Sequence, residues 1–267
     1  MRPHRLSLAV PVVVAFALAG CSAPASTTTT STAASTPAAS SAAPAPAVSS
    51  AAPAGSAIDK TAFVQRLLAG AKTVKTSQTD VELSVNTGGT KMAGEIDATA
   101  DFSDASRTKM HMKMDLGPAE LESVIDGSDY YIKMGGTWFK ANKTAVEQAC
   151  GAAPLNPVTQ LEALEPQIQK VEVLGEETVD GQALTFYRVT LDGAALGDLS
   201  GGAAGSKATA PKTVDYDVAL DAKDIARAFR MNVKSDALTM SMSGTISDIN
   251  EPVTISIPQN AQKLPGS

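Results

Sequence analysis

The chain reads as an α+β protein, mostly β: a large curved antiparallel sheet folded over a few helices. Three observations predict this. From Ser77 onward, apolar residues recur at period two in run after run, the spacing of strands rather than helices. Nearly every run is apolar on one face only, as in antiparallel sheets with one buried and one wet face. Only two stretches keep helical spacing, too few to form a second layer along so long a sheet.

The order opens with a leader. Arg2, His4 and Arg5 precede an uncharged run from Leu6 to Gly20. That run is shorter than the roughly 20 apolar residues a membrane span needs, and it has the layout of a secretory signal. It ends in Leu18-Ala19-Gly20-Cys21, which resembles the bacterial lipobox: small residues before a cysteine whose sulfur takes a diacylglycerol before cleavage. Residues 1–20 are expected to be removed. Cys21 would then anchor the protein, through its acyl chains, at the outer face of the cytoplasmic membrane in the cell envelope. Two or three bound chains anchor firmly where one does not. The alternative is an ordinary signal peptide with a chance cysteine beside the cut.

Residues 21–57 follow as a tether. From Ser22 to Ile58 there is no charged residue, and Ala, Ser, Thr and Pro dominate. Such a tract cannot bury enough apolar surface to offset its ordering entropy, so it reads as disordered. As a flexible coil it would span roughly 30–35 Å. Residues 58–267 form one domain's worth of chain. With Cys21 used by lipid, Cys150 has no intramolecular partner and reads as a small buried hydrophobe.

Within the domain, Asp59 is a plausible N-cap for a helix over 58–76, with Phe63, Val64, Leu67, Leu68, Ala71 and Val74 at helical spacing. Strands then carry Val81, Leu83 and Val85, followed by Met92, Ile96, Ala98, Ala100 and Phe102. The clearest strand runs from Arg107 to Leu116: Met110, Met112, Met114 and Leu116 point one way, and Lys109, His111, Lys113 and Asp115 the other. Leu121, Ser123 and Ile125 lead to a turn at Asp126-Gly127; Tyr130, Ile132 and Met134 lead to one at Gly135-Gly136. Asn156-Pro157 then reads as an N-cap with proline at the first helical position. Val158, Leu161, Leu164 and Ile168 give that helix its stripe, with Pro166 kinking or shortening it. Strands resume at Val171–Val173, turn at Asp180-Gly181, and continue with Tyr187, Val189 and Leu191. Residues 193–212, rich in Gly and Ala, read as a loop or short helix. Val214, Tyr216, Val218 and Leu220 mark the next strand, Phe229, Met231 and Val233 another, and Leu238, Met240, Met242 and Ile246 a third. Val253, Ile255 and Ile257 complete the series.

Several of these segments, in this order, resemble the LolA-like actinobacterial lipoproteins of the LppX/LprG group. The resemblance rests on Val124-Ile125-Asp126-Gly127 with Tyr130-Tyr131-Ile132-Lys133, then Gly136-Thr137-Trp138-Phe139-Lys140. It continues through Leu174-Gly175-Glu176-Glu177-Thr178-Val179-Asp180-Gly181, Tyr216-Asp217-Val218-Ala219-Leu220-Asp221 and Asn250-Glu251-Pro252-Val253-Thr254-Ile255. It covers essentially the whole domain from 59 to 260. It implies a half-open antiparallel barrel whose concave face is lined by helices, with acyl chains of lipids or lipoglycans held between. It names no ligand.

The apolar face itself agrees in one respect. Nine methionines beside only 4% aromatic residues is an unusual balance for a β-rich core. Five of them, at 110, 112, 114, 240 and 242, fall on shared strand faces. Methionine is flexible and polarizable, so it moulds to variable apolar partners. Candidate cavity-lining residues are Val81, Leu83, Val85, Ile96, Met110, Met112, Met114, Val233, Met240 and Met242. The same residues serve equally as filler between sheet and helices.

Other chemistries find little support. The formal net charge is −6, and loss of Arg2 and Arg5 with the leader makes the mature chain more acidic still, so nothing attracts nucleic acid. His111 is the sole histidine beyond the leader and alternates with lysines on the wet face. No Gly-x-Ser-x-Gly turn places a serine nucleophile, and the His and Cys ligands of a zinc site are missing. No enzyme activity, cofactor or metal is expected. Two functions remain: a carrier sheltering the acyl chains of an amphipathic lipid or glycolipid, and a non-enzymatic envelope interaction or sensing module with a filled core. A protein partner such as an envelope transporter is left open.

Overall fold

The computed structural model describes residues 53–87, 90–117, 120–142, 156–193, 211–234 and 238–264. Helix α1 (Lys60–Ala71) is capped by Asp59, whose carboxylate accepts from the Ala62 N–H, and buries Phe63, Val64, Leu67 and Leu68. It stops earlier than its periodicity implies. The Thr73 N–H and hydroxyl both donate to the Gly70 carbonyl, closing the helix. The Asn250 side chain then accepts from the Lys75 N–H and donates to the Thr73 carbonyl, steering the chain into a strand.

The first meander comprises β1 (Thr76–Thr87), β2 (Thr90–Asp101), β3 (Lys109–Asp115), β4 (Glu120–Asp126), β5 (Asp129–Met134) and β6 (Thr137–Asn142). Helix α2 (Pro157–Leu164) follows, with the Asn156 side chain accepting from the Val158 N–H. A single 3-10 turn, Glu165–Gln167, takes up Pro166, so Ile168 opens a strand rather than closing the helical stripe. The second meander is β7 (Ile168–Val179), β8 (Gln182–Asp192), β9 (Thr213–Leu220), β10 (Ala226–Lys234) and β11 (Leu238–Ser247). Asp180 and Gly181 turn β7 into β8 with φ of 50° and 78°, the left-handed pair that a two-residue hairpin requires.

With a short β12 (Gln262–Lys263) near the C-terminus, all strands join one open curved sheet in the order β12-β6-β5-β4-β3-β2-β1-β11-β10-β9-β8-β7. The two meanders meet at one antiparallel seam between β1 and β11, running from Gln78↔Ser247 to Thr87↔Leu238. At the outer edge of β7, the Gly55 and Ile58 N–H groups donate to Val173 and Val171, which covers part of an otherwise open edge. Strand β12 pairs parallel with β6. Val253, Ile255 and Ile257 have the alternation of a strand and are half-buried, yet they join no ladder among the described residues. The chain crosses there from a pin at Thr76, bonded to Asn250 and Glu251, to the β6 edge, where the Leu264 N–H donates to Lys140.

The concave face holds two large cores. In one, α1 packs Phe63, Val64, Leu67 and Leu68 onto Val171, Val173, Tyr187, Val189, Leu191, Val218 and Leu220, with Val158, Leu161 and Leu164 of α2 alongside. The second runs from β9 and β10 through β11, β1, β2 and β3 to β4. One departure from one-sided burial occurs at the β7–β8 hairpin. Leu184 and Phe186 are buried on the opposite face with Ala219 and Ala228. A register shift at Gly175, with φ 126°, bends β7 there. Glu177 of β7 consequently reaches Arg230 of β10 at 2.8 Å although β8 and β9 lie between, and the Arg230 guanidinium lies 4.4 Å from the centre of the Phe186 ring. The hairpin tip therefore curls over the outer face.

Candidate functional site

The site is the second concave core, and strand register builds it. Val81 stands opposite Ile96 on β2 and Gly244 on β11; Leu83 faces Met242, and Val85 faces Met240. Met242 faces Met231 and Met240 faces Val233 across the next ladder, while Ile96 faces Met114 and Ala98 faces Met112. Side chains directly opposite on one face touch, so these rows form a continuous apolar surface. Met114 and Met240 are each only 1% exposed. Gly94, opposite Leu83, is required by close approach: a Cβ there would lie 2.1 Å from the Asp115 carbonyl oxygen.

Of the candidate residues, Val81, Leu83, Ile96, Met112, Met114, Val233, Met240 and Met242 share this cluster, with half-buried Val85 packed against it. Met110 does not join it. Its register partners Ala100 and Ile125 form a separate small core with it, toward the other end of the sheet. Leu116, Leu121, Val214 and Met231 also belong to the cluster, although they are not among the candidate lining residues; their alternation gives the right strand parity, but parity alone does not give the neighbouring strand. Met92 and Met134 share that parity, at the hairpin-tip end of the sheet, and are 41% and 42% exposed. Cys21 and Cys150 lie outside the described residues.

The opposite face is polar and acidic. A groove of about 510 Å³ is lined there by Glu82, Ser84, Glu95, Asp115, Ser241 and Ser243 among others, and a second of about 330 Å³ by Asp80, Asp97, Arg230 and the overhanging Val179. Asp80 and Asp97 stand directly opposite in register; burial, then the hydrogen bond between the two side chains, raises the Asp80 pKa. His111 lies on this face as its alternation implies, with Nε2 3.0 Å from Glu122, which also receives Lys133 at 2.7 Å. The Glu122 carboxyl is held below its usual range: burial acts upward and is outweighed by the bonds from Lys133 and His111. Among the described residues no group of three or more His, Cys, Asp or Glu side chains is arranged to hold a metal ion.

One open sheet, apolar and methionine-rich within and charged without, with helices over one end of its concave face, defines a half-barrel of the lipoprotein type. Residues 60–255 match the family model of the LppX_LprAFG lipoproteins, and the chain belongs to that family. Its fold is similar to that of the lipoprotein LppX from Mycobacterium tuberculosis, at 16% identity and a TM-score of 0.53 over 74% of this chain and 98% of that one. It is also similar to LprF from Mycobacterium bovis, at 16% identity and 0.51 over 77% and 99%. No curated protein matches the chain by sequence.

Proposed function

We propose that this protein is an envelope lipoprotein, anchored through acyl chains on Cys21 at the outer face of the cytoplasmic membrane. Its domain binds or carries the acyl chains of an amphipathic lipid or glycolipid on the concave face, between sheet and helices. The observation that carries this is the cross-strand block of Met112, Met114, Met231, Met240 and Met242 on one face of the sheet. Methionine side chains reorient at low cost, so a surface packed without ligand can part to admit hydrocarbon. Each methylene removed from water contributes about 0.8 kcal/mol, and two acyl chains need few polar contacts to bind well.

Near-complete burial of the same residues favours a second reading, a non-enzymatic interaction or sensing module with a filled core. The two separate on one experiment. The full chain is purified from membranes in mild detergent, and its bound lipid is read by native mass spectrometry and solvent extraction, beside Met112→Trp and Met242→Trp. A carrier retains lipid, and both substitutions abolish uptake with modest loss of stability. A filled core retains none, and both substitutions destabilise by about 1–3 kcal/mol through overpacking.

A further inference from the structure

Tyr216 brings a phenol hydroxyl to the concave face. It lies on β9 between Val189 of β8 and Met231 of β10, and it packs against both the helix-covered core and the methionine core. Its ring stacks on Phe229, with centroids 6.1 Å apart and planes 19° apart. Among the described residues its hydroxyl has no hydrogen-bond partner. Tyr187, nearby on β8, differs: its hydroxyl accepts from Arg66.

A phenol taken from water without a new partner costs free energy, so buried tyrosines usually find one. Tyr216 is half-buried, and burial alone raises its pKa; it remains a protonated donor throughout the physiological range. Part of the side chain is thus accessible, and no sealed side-chain oxygen is left unpartnered among the described residues. The Tyr216 oxygen is therefore not sealed, and a small group can reach it at the boundary of the two cores that its side chain packs against. What can occupy that boundary is restricted by its walls. Val189, Met231 and Phe229 offer no charge, which disfavours a phosphate or ammonium group. A neutral oxygen at the head of a hydrocarbon chain matches both the donor and the apolar surroundings.

We infer that the Tyr216 hydroxyl donates a hydrogen bond to the ester carbonyl of an acyl chain lodged on the concave face, and so selects ester-linked over ether-linked lipids. This rests on the lipid-binding reading of that face. It gives the site a depth gauge: the chains extend over the methionines while the first carbonyl stops at β9.

The test loads the full chain from mixed micelles holding equal amounts of dipalmitoyl phosphatidylglycerol and its dihexadecyl ether analogue, and counts each retained lipid by native mass spectrometry. The native protein is expected to prefer the ester by roughly three- to tenfold, the range of one net hydrogen bond. Tyr216→Phe keeps the ring and its stacking. It is expected to retain both lipids with the preference gone and an unchanged melting temperature. Equal retention of ester and ether by the native protein overturns the inference while leaving lipid binding intact, as does a preference that survives in Tyr216→Phe. Retention of neither lipid by the native protein overturns the lipid-binding reading, and the inference with it.

Discussion

Gly70→Ala sets two local rules against each other. Gly70 lies in the last turn of α1 and is buried. Helix propensity alone favours alanine there by about 1 kcal/mol. The surroundings forbid it: a Cβ would sit 2.1 Å from the Asp224 carbonyl oxygen and 2.7 Å from its carbon, against the roughly 3.5 Å of ordinary contact. The helix end must therefore part from the β9–β10 turn by more than 1 Å. Neither side gives readily. Asp221 holds that turn by accepting from the Lys223 and Ile225 N–H groups and from Arg227, and Arg66 of α1 grips Asp224 through Nε and Nη2. That pair is partly exposed and adds under about 1 kcal/mol; the overpacking itself costs about 1–3 kcal/mol. With the propensity gain set against these, Gly70→Ala should destabilise by about 1–2 kcal/mol. Urea unfolding of the full chain, followed by circular dichroism and by the fluorescence of Trp138, the single tryptophan, should show a lower midpoint at unchanged slope. A midpoint equal to or above the native one would refute the close-approach reasoning.

Two carboxylates on the polar face carry opposite pH signatures. Asp126 is buried beneath Arg107, whose Nε and Nη2 each lie 2.6 Å from a carboxylate oxygen; that bond holds its pKa below 3.8. A depressed folded value stabilises at neutral pH, and the contribution is lost as acid carries the pH below about 4. Asp126→Asn should thus lower the melting temperature at pH 7 and flatten its acid limb. Asp80 is raised above 3.8 by burial and its bond to Asp97, so its ionisation weakens the fold once the pH exceeds about 4. Asp80→Asn should raise the melting temperature at pH 7, and the gain should vanish below about pH 4 in the same scan.

Sequence alternation was most informative where both faces of a strand have a settled fate. Met110, Met112 and Met114 fall inward and Lys109, His111 and Lys113 outward along β3, as their spacing implies. The Asp59 and Asn156 caps and the Asp180-Gly181 turn are local chemistry, and they lie where their residue types indicate. Long-range geometry was less legible. Leu184 and Phe186 are buried on the outer face because a bulge at Gly175 folds the hairpin back, and no period reports a bend. Val253, Ile255 and Ile257 alternate like a strand but have no ladder, since alternation records half-burial rather than pairing. Met110 belongs to another core because inward-facing residues of one strand lie at different heights in the barrel. The Tyr216 hydroxyl was invisible for a related reason: a donor without a partner has no sequence pattern.

The β1–β11 seam has a kinetic consequence. Within each meander, strands pair with their neighbours in sequence, and such local contacts form quickly. The seam joins Thr87 to Leu238, about 150 residues apart, and closing a loop of that length costs about 4 kcal/mol in chain entropy. Each half can thus acquire its own hairpins early, with the order of assembly set by one late docking event. Until that event, the apolar faces of β1 and β11 and their unpaired edges stand open together. A high local concentration of unfolded chain is then most damaging at this stage, when a neighbouring copy offers the same edge as the correct partner.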